Sequence, residues 1–471
     1  MKPSIVFYDN INGFIRLNQV ETELVNTPFL QRLRWIKQLG FSEYVFPGAC
    51  HNRLTHQIGV LHVADRMIRA IGKAVPDEKL FDPKCMDEAT QFHKSVRIAA
   101  MLHDVGHFPF SHTTEAGYII HGRETNNAKT SKKNVADNHE HLGSYIIKNT
   151  DYPGGITHVL KKYGFDFQEI SRLVKGNSAI PLANQILHSD VDADRMDYLI
   201  RDAYHTGIRY GQIDRDFILH HLTTFQTDGV EVLGFKENAR YAVEDLLQAR
   251  FSWYSQVIKD PTGAKYDIVA AHLTNYFLKN KLIYSFQDLL ELARKDAEKF
   301  FGFNDFYFMT LVQKAHESKK HKNTMVQELI KAILFRQGPK SLKIELFQGK
   351  IMSADNPKEK KALLNKIQTK IKELEATIKK YGKGNEWILT ELPTKDIQFT
   401  ATVDHIVKGR KSENILLERD PVKIVSKHGE PKLLIQLENS VINRLSGLIN
   451  FIPNVYCNAE AFSILKAKNL I

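Results

Sequence analysis

The chain has 471 residues, of which 43% are hydrophobic and 25% are charged, with a formal net charge of +11. This length exceeds one small core and predicts two or three cooperating units in an ordinary soluble globular protein. The positive charge favours polyanionic partners such as nucleotides or nucleic acid, but it does not inform on the fold. The three cysteines, Cys50, Cys85 and Cys457, do not form a disulfide framework and indicate a reducing, cytoplasmic setting. No stretch approaches the roughly 18 apolar residues of a membrane span, and no signal peptide is expected.

The N-terminal segment predicts a β-hairpin followed by a helix. Aromatic and β-branched side chains surround Asn12-Gly13, and this dipeptide is a strong signal for a hairpin turn. Thr27 and Pro28 then supply a helix cap and a first helical residue. Apolar residues at helical spacing extend the predicted helix as far as Gly40, namely Leu30, Leu33, Ile36 and Leu39.

A dense group of polar side chains follows the next long apolar pattern. Residues 89–105 predict a buried helix that Pro109 ends. His103 and His107 are four residues apart and are therefore expected on one helix face. The segment 101–112 holds His103, Asp104, His107 and His112. So many imidazoles and carboxylates beside a buried segment are costly unless something binds them, and a metal ion is the natural candidate.

Two motif fragments do not indicate the sites they resemble. The HEH tripeptide at residues 139–141 lacks the second histidine of an HExxH zinc site. Aspartates alternate along residues 190–194 like the start of a calcium loop, but Arg195 stands where that loop requires glycine. The segment 186–202 instead predicts a half-buried helix with one stripe formed by Asp194, Tyr198 and Asp202.

The sequence divides into four predicted segments. Residues 1–260 hold the hairpin and the main helical unit, with a polar insertion at about 122–138; residues 261–350 form a helical extension; residues 351–385 form a basic helix; and residues 386–471 form an α+β region. The basic helix carries apolar residues in a heptad pattern and nine lysines against three glutamates. The apolar seam predicts a helical hairpin or an oligomer contact, while a weakly nucleic-acid-binding arm stays open.

Four potential metal ligands recur along the main helical unit. One histidine at a helix start is more often a capping or core residue than a ligand, and a lone His-Asp doublet is a weak signal. Together, two imidazoles and two carboxylates from separate helices suit a divalent ion with coordination positions left for water: His56, His103, Asp104 and Asp194. These ligands admit magnesium, manganese, iron, cobalt or nickel, whereas a structural zinc site would more often recruit cysteine.

Several segments occur together in one order along the chain: Phe29–Gly40, Phe46–His56, His103–His112, His139–Glu140, Asp192–Ile208 and, more weakly, Leu433–Ile442. In these segments the chain resembles the HD-domain phosphohydrolase superfamily. It is most similar to the branch of dNTP triphosphohydrolases that includes bacterial dGTPase-like enzymes and the catalytic core of the animal SAM-and-HD-domain dNTPase. The resemblance implies a mainly α fold, with an HD-domain helical bundle, a small N-terminal β-hairpin and a smaller α+β C-terminal region. It places the HD catalytic core within residues 1–260.

The resemblance also implies a role for each residue that matches the family's motifs. The divalent metal ion would be held by His56, His103, Asp104 and Asp194. The acid–base group near the α-phosphate would comprise His107, Glu115 and His139, and the leaving 5′-oxygen would face His112. The phosphates would be bound by Arg53, Arg195 and Arg250. The sugar 3′-hydroxyl would be approached by Tyr198 and Asp202, with Tyr198 crowding out a ribose 2′-hydroxyl, and the sugar and base pocket would be lined by Gln38 and Leu39.

The implied activity is metal-dependent hydrolysis of deoxynucleoside triphosphates to deoxynucleoside and inorganic triphosphate, in a homo-oligomer between dimer and hexamer. Two alternatives stay open: an HD-type phosphatase or phosphodiesterase acting on another nucleotide, and a nucleic-acid-binding regulatory protein. The chain departs from the family pattern at Glu115, where aspartate is usual. It also has Asn26 where nucleotide-activated members carry an aspartate that reads guanine. We therefore expect activation by dGTP to be lost or altered.

Overall fold

The computed structural model describes residues 5–125, 137–318, 324–354, 356–391, 397–400, 415–427 and 430–471. The architecture is mainly helical, with a two-stranded ribbon at the N-terminus and small sheets toward the C-terminus. This confirms the predicted fold class. Most of the predicted polar insertion at 122–138 lies outside the described residues.

The structure confirms the predicted N-terminal hairpin and corrects the predicted extent of the helix that follows it. The ribbon consists of β1 (Val6–Asp9) and β2 (Gly13–Arg16), antiparallel and joined at the predicted turn. Two short helices follow, α1 (Gln19–Val25) and α2 (Pro28–Arg32). The prediction that the second helix reaches Gly40 is wrong. The backbone of Ile36 accepts a hydrogen bond from Arg53 at 2.9 Å, and this pairing with a distant segment outweighs the local helical pattern.

The next five helices form the first part of the bundle: α3 (Arg53–Ala70), α4 (Asp77–Phe81), α5 (Glu88–Leu102), α6 (His112–Thr125) and α7 (His139–Asn149). Helix α3 packs against α5 in the main hydrophobic core. The predicted continuation of α5 to Pro109 is wrong, because the helix ends at Leu102. His103 and His107 therefore lie in the turn between α5 and α6 rather than on one helix face.

The following segment completes the bundle with six helices and a β-ribbon. The helices are α8 (Ile156–Lys162), α9 (Phe167–Val174), α10 (Pro181–His188), α11 (Ala193–Thr206), α12 (Arg215–His220) and α13 (Arg240–Trp253). The ribbon is β3 (Leu222–Thr227) and β4 (Val230–Lys236). The continuous helix predicted over 186–202 is wrong: Asp192 caps α11, its side chain accepting from the Arg195 amide at 2.8 Å. The stripe of Asp194, Tyr198 and Asp202 lies on α11, whereas Asp190 lies before the helix.

A helical extension packs on this bundle. Its helices are α14 (Pro261–Lys279), α15 (Phe286–Lys295), α16 (Ala297–Phe301), α17 (Asp305–Glu317) and α18 (Thr324–Phe335). Helix α14 lies against both α6 and α18. The extension shares the main hydrophobic core with the bundle through residues such as Phe300, Phe303 and Phe308.

The C-terminal part mixes short strands with helices. In chain order it contains β5 (Lys340–Ser341), β6 (Lys350–Ser353), α19 (Pro357–Tyr381), β7 (Ile388–Glu391), β8 (Ile397–Gln398), β9 (Lys423–Val425), β10 (Lys432–Leu433), α20 (Val441–Leu445), β11 (Leu448–Phe451), β12 (Asn454–Cys457) and α21 (Ala459–Ala467). Strand β9 pairs in parallel with β4 of the bundle, so the two parts share one sheet.

The basic helix α19 lies against a small core of its own. Its heptad-like side chains Ile367, Ile371, Leu374 and Ile378 are buried in that core, which also contains residues of β6, β11, β12 and α21. The chain itself covers the seam, so the predicted helical hairpin or oligomer contact through these residues is wrong. The lysines are left on the outer side of the helix.

Within the described parts of the chain, none of the helices combines the length and apolar character that a bilayer crossing requires.

Candidate active site

Four helix starts bring the predicted site residues together. Asn52 caps α3, Asn138 caps α7 and Asp192 caps α11, while α6 begins directly at His112. The first turns of these helices contain Arg53, His56, His112, Glu115, His139 and Asp194. Helix N-termini carry partial positive charge and unpaired backbone N–H groups, which suits binding of a polyphosphate.

The four predicted metal ligands lie close together. Nε2 of His56 is 3.0 Å from Oδ1 of Asp194, and Nε2 of His103 is 3.6 Å from the same oxygen. Oδ2 of Asp104 is 3.5 Å from Nε2 of His103 and 4.0 Å from Nε2 of His56. The donor atoms of His56, His103 and Asp194 all lie within 4.8 Å of one another, close enough to share one ion, and Asp104 lies beside them.

The donor set fits a divalent ion. Nδ1 of His103 lies 2.8 Å from the carbonyl oxygen of Ala100, so Nδ1 carries the proton and Nε2 presents its lone pair. Among the described residues, this buried Nε2 has no hydrogen-bond partner. A buried lone pair directed at two carboxylates is costly unless a cation lies between them. The mixture of imidazole and carboxylate, without thiolate, agrees with the hard and borderline divalent metals.

A buried relay behind His56 was not predicted from the sequence. Nδ1 of His56 donates to Oδ2 of Asp197 at 2.9 Å, and Asp197 is paired with Arg201 at 2.8 Å. Arg201 is in turn paired with Asp9 of the N-terminal ribbon at 2.8 Å. The only sequence signal for Asp197 was a second carboxylate about one turn after Asp194 on α11.

Asp104 joins the metal ligands to the neighbouring histidines. Its Oδ1 lies 3.2 Å from Nε2 of His107, and its Oδ2 is paired with Arg53. Burial alone would raise the pKa of Asp104, but His103, His107 and Arg53 hold it well below its ordinary value. Burial and the adjacent guanidinium of Arg53 hold the pKa of His107 well below its ordinary value, so this imidazole is neutral.

Glu115 organises a second group of three histidines. Its Oε1 accepts from Nδ1 of His139 at 2.7 Å, and its Oε2 accepts from Nδ1 of His112 at 2.8 Å. The ring of His139 stacks on His107 with centroids 4.1 Å apart. Burial opposes ionisation of Glu115, but His139 and the hydrogen bonds hold its pKa well below the ordinary value. The anionic carboxylate fixes Nδ1 as the protonated nitrogen on both histidines, which leaves each Nε2 available for chemistry.

The turn that carries His107 lies directly against α7. A Cβ atom on Gly106 would approach the carbonyl oxygen of His139 to 2.2 Å, so only glycine allows this contact. The close approach brings His107 and His139 into stacking distance.

The predicted sugar-binding residues are buried on α11, about one and two turns beyond Asp194. Oδ1 of Asp202 lies 2.7 Å from Nε2 of His51, while the buried Oδ2 has no hydrogen-bond partner within the described chain. The ring of His51 also stacks on His205 at 4.3 Å. Tyr198 packs against Trp253, with ring centroids 5.3 Å apart. His51 was not predicted, although it falls in the Phe46–His56 segment that carried the resemblance.

The three arginines predicted to bind phosphate have different surroundings. Arg53 adjoins the metal ligands through Asp104. Arg195 is paired with Asp192 and donates to the carbonyl of Ser189 at 2.6 Å. Arg250 is paired with Asp190 at 3.0 Å and donates to the carbonyl of Phe399 at 3.0 Å. All three guanidinium groups thus already have a carboxylate partner. Of these three partners, only Asp104, which pairs with Arg53, is also a predicted metal ligand.

Gln38 and Leu39 lie at the wall of the site. Both are buried, and the NH2 group of Arg53 reaches the carbonyl oxygen of Gln38 at 3.5 Å. The side-chain oxygen of Gln38 is buried without a hydrogen-bond partner among the described residues. A cleft of about 210 Å³ also opens beside His112, lined by Thr113, Ile258, Lys259, Asp267 and Glu391 among others.

Comparisons with known proteins identify the class of this site. Residues 53–202 match the family described as HD domain, and this range contains all four predicted metal ligands. The chain is 32% identical over 296 residues to an uncharacterised protein of Methanocaldococcus jannaschii, covering 62% of this chain and 53% of that protein. It is 26% identical over 297 residues to the human deoxynucleoside triphosphate triphosphohydrolase SAMHD1, covering 58% of this chain and 44% of that protein.

A solved structure supports the same fold. A phosphohydrolase from Bacteroides thetaiotaomicron superposes with a TM-score of 0.66 at 19% identity, covering 97% of this chain and 100% of that one. Residues 53–202 therefore match an HD domain, and these findings support the resemblance to the HD-domain phosphohydrolase superfamily that the sequence motifs predicted. It spans about half the length of the curated relatives that it matches.

Proposed function

We propose that this protein hydrolyses deoxynucleoside triphosphates to a deoxynucleoside and inorganic triphosphate in a metal-dependent reaction. The observation that carries the proposal is the double contact of Asp104. One carboxylate oxygen faces the convergent ligands His56, His103 and Asp194, and the other lies 3.2 Å from His107 in the Glu115 group. A phosphoryl group between these two sets would meet cationic charge on one side and imidazoles on the other.

A bound divalent ion would be held by His56, His103, Asp104 and Asp194, and would supply charge neutralisation and an acidified water. Arg53, beside Asp104, would neutralise charge on the phosphoryl oxygens. Glu115 holds His139 and His112 so that each Nε2 faces the reacting group. An oxygen from water forms a bond to the α-phosphorus, and the proton that the water loses passes to the acid–base group of His107, Glu115 and His139. The bond from that phosphorus to the 5′-oxygen breaks, and His112 in its imidazolium form gives the proton on Nε2 to the leaving 5′-oxygen.

The proposed preference for deoxyribose rests on Tyr198 and Asp202. The buried Oδ2 of Asp202, which has no hydrogen-bond partner among the described residues, is a suitable acceptor for a sugar hydroxyl. The Tyr198 ring is held against Trp253 and would crowd a 2′-hydroxyl. The similarity to a named dNTP triphosphohydrolase supports the same substrate class. Homo-oligomer formation and a cytoplasmic location stay predictions.

The decisive experiment is a panel of dNTPs and rNTPs with Mg²⁺ or Mn²⁺, each with and without dGTP, and with the products identified by chromatography. We expect deoxynucleoside and triphosphate. Release of pyrophosphate or monophosphate would instead favour the HD-type phosphatase or phosphodiesterase, and no turnover of any nucleotide would contradict an enzymatic role. Strong dependence on dGTP would contradict the expectation drawn from Asn26.

Variants link the activity to the site. His103→Ala and Asp104→Ala should each abolish turnover, because each removes a metal ligand. His158→Ala is the matched control, since this half-exposed histidine pairs with Asp151 at the surface. Full activity in either ligand variant would overturn the assignment of the site.

A further inference from the structure

The turn between α5 and α6 has an unusual backbone. Phe110 and Ser111 both adopt left-handed conformations, with φ of 52° and 59°. Residues other than glycine rarely adopt left-handed backbone angles. Two such residues in succession persist only when the surrounding structure holds them in place. The turn carries His107 just before these residues and His112 just after them. Whatever holds this turn therefore sets the relative position of two histidines of the Glu115 group.

A buried carboxylate on the helical extension holds the turn. Oδ1 of Asp305, at the start of α17, accepts the backbone N–H of Phe110 at 2.6 Å. Its Oδ2 accepts the backbone N–H of Lys37 at 2.9 Å. Asp305 is 7% exposed, so both hydrogen bonds are shielded from water. Phe308, one turn further along α17, packs edge-on against the Phe110 ring.

The same part of the extension also holds the other end of the turn. The guanidinium of the fully buried Arg32 donates to the carbonyl of Val105 at 2.9 Å and to the carbonyl of Phe303 at 2.7 Å. Residues 303–305 thus contact the turn at Val105 through Arg32 and at Phe110 directly. These two contacts lie on either side of His107.

The Ser111 side chain links the turn held by Asp305 to Arg53. The Ser111 hydroxyl donates to the carbonyl of Lys37 at 2.6 Å and accepts from Nε of Arg53 at 2.7 Å. Arg53 then pairs with Asp104. Asp305 fixes Lys37 and Phe110, and these residues place the Ser111 hydroxyl against Arg53.

We propose that Asp305 is a positioning residue: from the helical extension it holds the left-handed turn at Phe110–Ser111 and thereby orients Arg53 and His112 for the reaction. The effect on turnover rests on the proposed function. Displacements of about 1 Å in reacting groups are enough to reduce rates strongly. The helical extension would therefore contribute to catalysis through the turn that it holds.

The test is Asp305→Asn in the full chain. The asparagine keeps one acceptor oxygen and places an NH2 group where the second backbone N–H points. We expect kcat to fall at least about tenfold with KM and bound metal changed less than about threefold, because the hydrogen bonds of Asp305 go to Lys37 and Phe110 and not to a predicted metal ligand. Hydrogen–deuterium exchange should accelerate in peptides covering residues 103–113. Asp296→Asn, a cap of α16 with no contact to the turn among the described residues, is the matched control.

A second variant tests the same series of contacts at Ser111, which bonds both Lys37 and Arg53. Ser111→Ala should lower kcat in the same way, and the double variant should be no slower than the slower single variant, because both act through Arg53. If Asp305→Asn does not fold, Ser111→Ala decides the proposal by its kcat and its exchange pattern. A folded Asp305→Asn protein with unchanged exchange over 103–113, or independent effects in the double variant, overturns the proposal. The exchange readout does not depend on which nucleotide is hydrolysed, so it separates this proposal from the proposed function.

Discussion

Nδ1 of His56 donates to Oδ2 of Asp197 at a distance of 2.9 Å, in a part of the protein where both side chains are buried. An ionised carboxylate can only accept a hydrogen bond, so the contact assigns the proton to Nδ1. Nε2 then faces the other predicted metal ligands. Because Asp197 is itself held by Arg201, the orientation of His56 depends on residues outside the motif that predicted it.

Asp197→Asn is expected to weaken metal binding by about 10–100-fold, since removal of a carboxylate behind a ligating histidine has effects of this size. Activity should recover partly at high metal concentration. The measurement is a metal titration against a competing chelator, followed by turnover at several metal concentrations. Asp245→Asn, on the exposed side of α13, provides the control. Unchanged metal affinity in Asp197→Asn would show that the carboxylate does not tune the metal site.

Glu115→Gln is expected to lower kcat by about 10²–10⁴-fold while bound metal is retained. The carboxylate raises the pKa of His139, against the lowering effect of burial. Without that charge, His139 should lose its proton at a lower pH, and any limb of the pH–rate profile that reports on it should move in the same direction. Metal content by elemental analysis and a pH series of kcat test both expectations. A Glu115→Gln variant with normal kcat and a normal pH profile would contradict this role of Glu115.

Glu115→Asp tests the departure from the family pattern. The shorter side chain cannot keep both hydrogen bonds, to His112 and to His139, in their present positions. We expect activity between that of the wild type and that of Glu115→Gln. A fully active aspartate variant would show that the additional methylene group is unimportant here.

The sequence predicted which candidate metal ligands lie close together, but it did not predict the backbone that presents them. The donor atoms of His56, His103 and Asp194 lie within 4.8 Å of one another, and Asp104 lies beside them, as expected if these residue types share one ligand. The helix through His107 was not correct, because the left-handed turn at Phe110 depends on a carboxylate about two hundred residues away in sequence. Helical spacing carries no information on such a long-range hydrogen bond.

The pairing of buried charges was also beyond sequence patterns. Arg201 reads as an ordinary basic residue on a helix, yet its guanidinium is fully buried between Asp9 and Asp197. The seam of α19 was recognised, but its partner was not, since an apolar stripe does not distinguish the chain's own core from a second subunit. The same packing leaves the lysine side of α19 exposed to solvent.

Lys423 provides a prediction on stability and pH. Its amine is buried in β9 with a hydrogen bond to the carbonyl of Glu418 at 2.5 Å, and burial lowers its pKa from 10.5 to about 7. Between these two values the unfolded chain binds a proton that the folded chain does not, so this group makes the protein more stable as pH rises from 7 to 10. Below pH 7 both states are protonated and the contribution is constant.

Lys423→Met should remove that slope, which for a single group reaches at most about 1.4 kcal/mol per pH unit. The difference in free energy of unfolding between variant and wild type should therefore shrink steadily from pH 7 to pH 10. Denaturant unfolding at several pH values measures it, with Lys432→Met in the neighbouring exposed position of β10 as the control. A difference that is constant over this range would mean that the amine keeps its proton in the folded protein.

The outer side of α19 is expected to bind polyanions weakly. Lys361, Lys372 and Lys379 are exposed, and their spacing places them on one face of the helix. Binding of lysines to phosphates releases counterions, so DNA or RNA affinity should fall steeply as salt increases. Charge reversal of all three lysines to glutamate should weaken binding and reduce the salt slope by about one for each phosphate that is no longer neutralised. The matched control reverses Lys281, Lys295 and Lys299 on the helical extension, which changes the net charge equally. If both triple variants bind equally weakly, binding follows from overall charge and not from α19.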